Sequence, residues 1–480
     1  MSKTPFYITT TLPYVNSDPH IGFAMEIIRA DVIARAKKLE GFDVFFNTGT
    51  DEHGVKIYQK ALSGQEDTQA FVDRYAAKFK ELQNILGLSP DIHFIRTTDD
   101  KHVAAAQEFW RICDKNGFIY KKVYKTKYCS GCELEKTDTE LNDDGRCFIH
   151  PTIDLMLIDE ENYFFKFSAF QQKLLDLYAS NPKLIVPDFR FNEIKAFVER
   201  GLEDFSISRL ATKMPWGVPV PGDKDHVMYV WFDALVSYIS TLGWPEDTKN
   251  FEKFWQNGTP VQYCGKDNLR QQSAMWQAML MSVGLPPTHT IVIDGFVTGE
   301  GGVKMSKSLG NTIDPLDIVK EYGVDALRYY VCRELSPFED SPFTMDKFKE
   351  AYNAHLANGV GNLTSRVMKM ATTNLASAPE IPSKSVPAAF TDALAGFNIQ
   401  AAAHVVWEHI SAADRIIQEK EPFKLVKTDK EAAIEIIKDL CVRLYTIGDM
   451  LEPIMPQTSE LLKKLVKEHK MPEQPLFMRK

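Results

Sequence analysis

An α/β fold built on a parallel sheet, interrupted by an inserted segment and followed by an all-helical region, is what the sequence predicts. Three observations carry this. Strand-like apolar runs alternate with helical periodicity over residues 1–118, the pattern breaks across 119–212, and helical spacing alone persists beyond about 346.

Taken in order, PFYITTTL (5–12) is an apolar run of strand length, and PYVNSDP after it is rich in turn formers. Ile21, Ala24, Ile28, Val32, Ala36 and Leu39 then recur at helical spacing up to Gly41, and FDVFFNT (42–48) is a second buried strand. Strand, helix, strand is the unit of a parallel sheet. From 119 to 212 come short strands, turns, a cysteine cluster and the aromatic run NYFFKF. HVMYVWFDAL, TPVQYCGKD and THTIVIDGFVT restore the parallel-sheet pattern, so one domain (1–118 and 213–299) is expected to be split by an insertion (119–212). Residues 300–345 connect to a helical bundle (346–480), whose one proline-rich break, APEIPSKSVP, reads as an inter-helix loop.

Composition narrows the class. Of 480 residues 44% are hydrophobic and 25% charged, with no apolar run long enough to span a bilayer and no signal-peptide pattern at the N-terminus, so a cytoplasmic protein without membrane contact is expected. A net charge of −9 argues against indiscriminate coating of nucleic acid but leaves room for local basic patches. Three of the seven cysteines fall between 129 and 147, which favours a metal site over disulfides.

Three motifs carry chemistry. Pro19-His20-Ile21-Gly22 sits at a strand-to-helix junction, where free backbone N–H groups and the helix dipole attract anions. GGVKMSKSLGN (301–311) combines glycines, hydroxyls and two lysines three apart, a loop able to close over a triphosphate and set Lys304 and Lys307 against charge building on pyrophosphate. Cys129-x2-Cys132 and Cys147-x2-His150 offer four ligands to one Zn²⁺ and leave no open position, which makes the site structural.

PHIGF together with KMSKS resembles the paired signatures of class I aminoacyl-tRNA synthetases. TTLPYVNSDPHIG, FNTGTDEHG, ENYFFKFS, YVWFDAL, CGKD and GVGNLTSR narrow the resemblance to methionyl-tRNA synthetases, almost end to end. It implies a Rossmann-type catalytic domain split by a zinc-binding connective insertion, a stem-contact region (300–345) and an α-helical anticodon-binding domain. The activity implied is methionine–tRNA ligation: L-methionine and ATP, with Mg²⁺, give methionyl-adenylate, and the methionyl group passes to tRNA(Met), initiator included. No dimerising tRNA-binding module follows Lys480, so a monomer is expected. A class I synthetase of another specificity and a non-catalytic tRNA-binding paralogue are the alternatives.

Carried over residue by residue, His20, Lys304 and Lys307 stabilise phosphate charge, while Gly22, Phe23, Glu26 and Gly265 line the ATP site. Asp51 pairs with the methionine ammonium. Leu12, Tyr14, Trp231, Ala234 and Tyr238 form the methionine pocket, with Arg209 and Asp267 close to the substrates. Three active-site positions depart from the family. Phe23 stands where a histidine is usual and is expected to pack on adenosine, and Asn268 and Gln272 replace an isoleucine and a histidine, with an amide expected near the sulfur. In the bundle, Asn362 and Arg366 match anticodon-reading positions, and Phe423 replaces a tryptophan while keeping a stacking face.

Overall fold

The computed structural model describes residues 3–132, 134–136, 138–303, 305, 313–382 and 386–480. The chain forms two compact units, one made of the residues up to Asp18 with Val44–Glu81 and Asp91–Ile293, the other of Pro19–Asp43, Leu82–Pro90 and Asp294–Lys480.

The first unit holds a six-stranded sheet. Its strands are β1 (Pro5–Thr10), β2 (Asp43–Thr50) and β3 (His93–Arg96); the insertion then supplies β4 (Ile119–Cys129), β5 (Leu134–Lys136) and β6 (Met156–Phe165). After them come β7 (Ile185–Val186), β8 (Phe205–Ser206), β9 (Ser208–Leu210), β10 (His226–Met228), β11 (Thr259–Gly265) and β12 (Thr290–Asp294). The large sheet runs β3-β2-β1-β11-β12-β7. β1 pairs in parallel with β11 from Phe6↔Thr259 to Thr10↔Tyr263, and the β2–β3 and β12–β7 pairs are parallel too. Phe6 to Thr10 are all buried, as a central parallel strand covered on both faces requires. Strand order reverses between β1 and β11, and open α/β sheets bind ligands beyond the carboxyl ends of the strands at such a point.

The insertion is a second, antiparallel sheet of order β5-β4-β6-β8. β4 and β6 pair continuously from Ile119↔Phe165 to Tyr128↔Met156, so the two long strands deliver Cys129 to the tip of a rigid ribbon. VWFDAL corrects the strand expected there: His226–Met228 is a three-residue strand paired antiparallel with β9, and Val230–Ser240 is a helix. A short run that is apolar on every side reads alike as buried strand and buried helix, and ten of the eleven residues of this helix are buried.

In the second unit the helix Ile21–Leu39 ends as expected before Gly41, which takes φ 93°. The short strands β13 (Val297–Thr298) and β14 (Ser341–Pro342) pair, and from Met345 onward the described residues are helices and their connections. Ile399–Lys420 buries Ile399, Ala402, Val406, Ile410, Ala413 and Ile417, and Lys430–Leu451 buries Ala433, Ile437, Leu440, Leu444 and Ile447, the stripes by which bundle helices pack. Asn398 and Asp429 cap these helices by accepting the backbone N–H groups of Ala401 and Ala432. No helix among the described residues is long and apolar enough to cross a membrane.

Candidate active site and metal cluster

At the carboxyl end of β1, Pro13–Val15 runs beside Asp51, which follows β2. The Asp51 N–H donates to the Pro13 carbonyl at 3.0 Å and the Val15 N–H to the Asp51 carbonyl at 3.3 Å, which sets Tyr14 opposite Asp51. Asp51 is 3% exposed. Its neighbours fix the loop. Arg96 donates to both Glu52 carboxylate oxygens at 2.7 Å, Thr50 adds a bond to Glu52 at 2.6 Å, and the Trp216 indole N–H donates to the Glu52 carbonyl at 2.6 Å. His53 Nδ1 meets Asp233 Oδ2 at 3.0 Å, tying the loop to the helix Val230–Ser240.

That helix carries Trp231, Ala234 and Tyr238, three or four residues apart and so on one face. Ala234 and Tyr238 are buried, and the buried Trp231 indole N–H has no partner among the described residues. Leu12 is buried beyond β1, and Gly265 ends the neighbouring strand β11. Next come the exposed Asp267 and the half-buried Asn268, whose amide donates to Asp267 Oδ1 at 3.2 Å. Gln272, fully buried, donates to the Tyr238 hydroxyl at 2.6 Å. Arg209, on β9, donates to Ser206 Oγ and the Ser208 carbonyl at 2.8 and 2.7 Å and lays its guanidinium 4.4 Å from the centre of the Tyr229 ring.

In the second unit, His20 caps the helix Ile21–Leu39 in extended backbone, its Nδ1 accepting the Gly22 N–H at 3.1 Å. A Cβ at Gly22 would stand 3.1 Å from the His20 ring, so the glycine admits the imidazole to the cap. Phe23 is half-buried and Glu26 buried on the same helix. Asn362 is exposed, while Arg366, one turn on, donates to Asp414 Oδ1 at 2.8 Å. Burial raises the Asp414 carboxyl above its ordinary value although Arg366 opposes this. Phe423 is 47% exposed, with the Lys424 ammonium 5.9 Å from its ring centre. Lys304 and Lys307 lie outside the described residues.

The insertion gathers Cys129, Cys132, Cys147 and His150, whose ligand atoms all lie within 4.8 Å of one another and can hold a metal ion. Cys132 Sγ is 3.4 Å from Cys147 Sγ and 3.2 Å from His150 Nδ1, and Cys129 Sγ is 3.9 Å from the same nitrogen. Edges of roughly 3.8 Å are what tetrahedral bonds of about 2.3 Å to sulfur demand, so the four residues fit one ion. A Cβ on Gly131 would fall 2.4 Å from the His150 ring, so only glycine lets the ring approach the knuckle. Burial pushes the Cys132 thiol up to about 12; burial also raises Cys147, but the His150 and Ile149 backbone N–H groups and the Cys132 contact outweigh it and its pKa falls.

Sequence reasoning missed Glu52, His53, Arg96 and Asp233. Asp233 had a signal: a carboxylate within the apolar run VWFDALVSY cannot be buried without a partner.

The family model for class I tRNA synthetases (M) matches residues 6–147 and 132–368. Methionine–tRNA ligase from Thermosynechococcus vestitus is 40% identical over 474 residues, 95% of this chain and 89% of the relative, and that from Brucella suis biovar 1 is 38% identical over 96% and 92%. Mycobacterium tuberculosis methionyl-tRNA synthetase in complex with methionyl-adenylate superposes with a TM-score of 0.90 at 32% identity, covering 99% of this chain and 100% of that one. The chain therefore belongs to the methionine–tRNA ligases, a family of class I aminoacyl-tRNA synthetases.

Proposed function

We propose that the methionine carboxylate attacks the α-phosphate of ATP, an oxygen–phosphorus bond forming as the bond to pyrophosphate breaks, and that the resulting adenylate passes its methionyl group to the 3′-terminal ribose of tRNA(Met), releasing AMP. The carrying observation is Asp51, a carboxylate 3% exposed and pinned against Tyr14 beyond the carboxyl end of β1, the strand that borders the reversal of strand order, where a substrate ammonium would find its counter-charge. Leu12, Tyr14, Trp231, Ala234 and Tyr238 form the side-chain pocket, and Arg209, Asp267 and Asn268 complete its polar margin. One methylene is worth only about 1–3 kcal/mol, so shape and the few polar contacts share the discrimination.

His20 acts through its outer nitrogen. With Nδ1 accepting the Gly22 N–H, the neutral ring keeps its proton on Nε2, the donor a phosphate oxygen needs. Gly22, Phe23, Glu26 and Gly265 take adenosine and its phosphates, Mg²⁺ accompanies ATP, and Lys304 and Lys307 meet the pyrophosphate. Phosphoryl chemistry of this kind is mainly positioning and charge stabilisation, so no general base is required. Asn362, Arg366 and Phe423 read the anticodon from the bundle at 346–480, and the protein works as a cytoplasmic monomer. Methionine-dependent ATP–pyrophosphate exchange, run across all twenty amino acids, tests the activity. Methionine alone should support rapid exchange; preference for another amino acid, or none at all from folded protein with Mg²⁺, would sink the reading.

The ion of the insertion (119–212) is one Zn²⁺ held by Cys129, Cys132, Cys147 and His150, structural because four protein ligands fill its coordination. Elemental analysis should find close to one zinc per chain. Chelation, or Cys129→Ser, should raise hydrogen exchange in β4 and β6 at least tenfold and leave the helices beyond 346 unchanged. Freshly purified protein without metal would remove the assignment.

A further inference from the structure

Behind Tyr238 lies a chain of four buried polar side chains: Gln277, Thr288, Gln262 and Gln272, each at most 2% exposed. Three buried glutamines within one cluster are costly unless every amide is paired with the correct sense, because an amide has a donating and an accepting end. Two backbone groups set that sense. The Thr288 N–H, which can only donate, gives its proton to Gln277 Oε1 at 3.0 Å, and the Gln272 carbonyl, which can only accept, takes one from Gln277 Nε2 at 2.9 Å. Gln277 is thereby fixed, and its amide also donates to Thr288 Oγ1 at 2.9 Å. The Thr288 hydroxyl, already accepting there, donates onward to Gln262 Oε1 at 2.5 Å. Gln262 Nε2 then donates to Gln272 Oε1 at 2.8 Å, and Gln272 Nε2 to the Tyr238 oxygen at 2.6 Å. From Gln277 Nε2 through Thr288 Oγ1, Gln262 and Gln272 to Tyr238, each side-chain bond points the same way. The Tyr238 hydroxyl cannot return its proton to a nitrogen that is itself donating, so it must donate away from the chain.

We infer that Gln277, Thr288, Gln262 and Gln272 are a one-way hydrogen-bond relay that holds the Tyr238 hydroxyl as a donor to the methionine thioether, so that the pocket distinguishes sulfur from methylene. This rests on the reading of Tyr238 as a wall of the methionine pocket. The four are positioning residues, none needing to touch substrate. A thioether is a weak acceptor that would gain nothing from a hydroxyl turned inward, and a methylene cannot accept at all.

Norleucine, the isostere with a methylene in place of sulfur, makes the test. In ATP–pyrophosphate exchange, Gln272→Leu should lower kcat/KM for methionine about 3–10-fold more than for norleucine. Gln272→His, which restores a donor toward Tyr238, should keep the methionine-to-norleucine ratio within about twofold of the parent chain. Should Gln272→Leu not fold, Thr288→Val takes its place: it breaks the relay two bonds upstream of Gln272 and should also lower the ratio. An equal fall for both substrates, or an unchanged ratio, would overturn the relay. Tyr238→Phe separates the two layers of the argument. A ratio unmoved by Tyr238→Phe removes Tyr238 from the thioether, and the relay's role with it; a ratio that falls in Tyr238→Phe but not in Gln272→Leu overturns the relay alone.

Discussion

Lys307→Ala should slow methionine-dependent ATP–pyrophosphate exchange by about 10²–10³-fold, the loss expected when one positioned donor to a developing charge is removed. The loss should fall on kcat, with the KM for ATP changed much less, because in the role proposed for it the lysine meets charge that peaks as pyrophosphate leaves rather than in the bound nucleotide. The residues just before it form a defined turn. Gly301 and Gly302 adopt φ 71° and 78°, a region that side chains rarely tolerate, and the Gly299 N–H closes a tight turn on the Val303 carbonyl at 2.7 Å. Lys307→Arg should recover part of the rate and Lys304→Ala should cost less than Lys307→Ala. A near-normal kcat for Lys307→Ala would refute the role.

What the sequence disclosed follows the range of the signal. β1, the helix to Leu39 with Gly41 beyond it, and the cluster Cys129, Cys132, Cys147 and His150 are written in spacings of a few residues, and the structure holds all of them. The long β4–β6 ladder was invisible because its strands lie 26 residues apart, from Cys129 to Met156, with alternation only on one face. Val230–Ser240 was ambiguous because its apolar residues leave no polar side to mark a period. Gln272 stood out as a departure from the family, but its partner Tyr238 is 34 residues away and Gln262 lies on β11, so its work is evident only in space. The buried arginines were the least legible. Arg29 donates to Asp294, Val331, Leu335 and Ser336, positions up to 307 residues distant, whereas an arginine within a helix reads as a solvated face.

Arg328 makes the same point as an expected loss of stability. It is fully buried, and its guanidinium donates to Ile454 O at 2.8 Å, Pro453 O at 2.9 Å, Leu86 O at 3.3 Å and Asp31 Oδ2 at 2.8 Å, joining four segments of the second unit. Arg328→Met fills much of the volume but leaves three carbonyls unmet and Asp31 with Arg35 and Ser89 alone. Breaking a buried pair on one side costs about 3–5 kcal/mol, because the remaining charge is stranded away from water. Burial raises the Asp31 carboxyl, but Arg328, Arg35 and Ser89 outweigh it and hold the folded-state pKa below the ordinary 3.8. A carboxyl depressed in this way stabilises the fold above that ordinary value, and the contribution disappears as pH falls through the folded pKa. Removing Arg328 takes away the strongest of the influences that lower Asp31, so the cost of the substitution should be full at neutral pH and shrink as acid protonates the Asp31 carboxyl. Arg443 supplies the comparison: it meets Asp439 at 2.7 Å but is 38% exposed, and Arg443→Ala should cost under about 1 kcal/mol. Denaturant midpoints for the two variants, measured at neutral and acid pH, decide the matter. Equal shifts at neutral pH, or a deficit for Arg328→Met that grows on acidification, would show that the buried charge network does not hold the helical unit together.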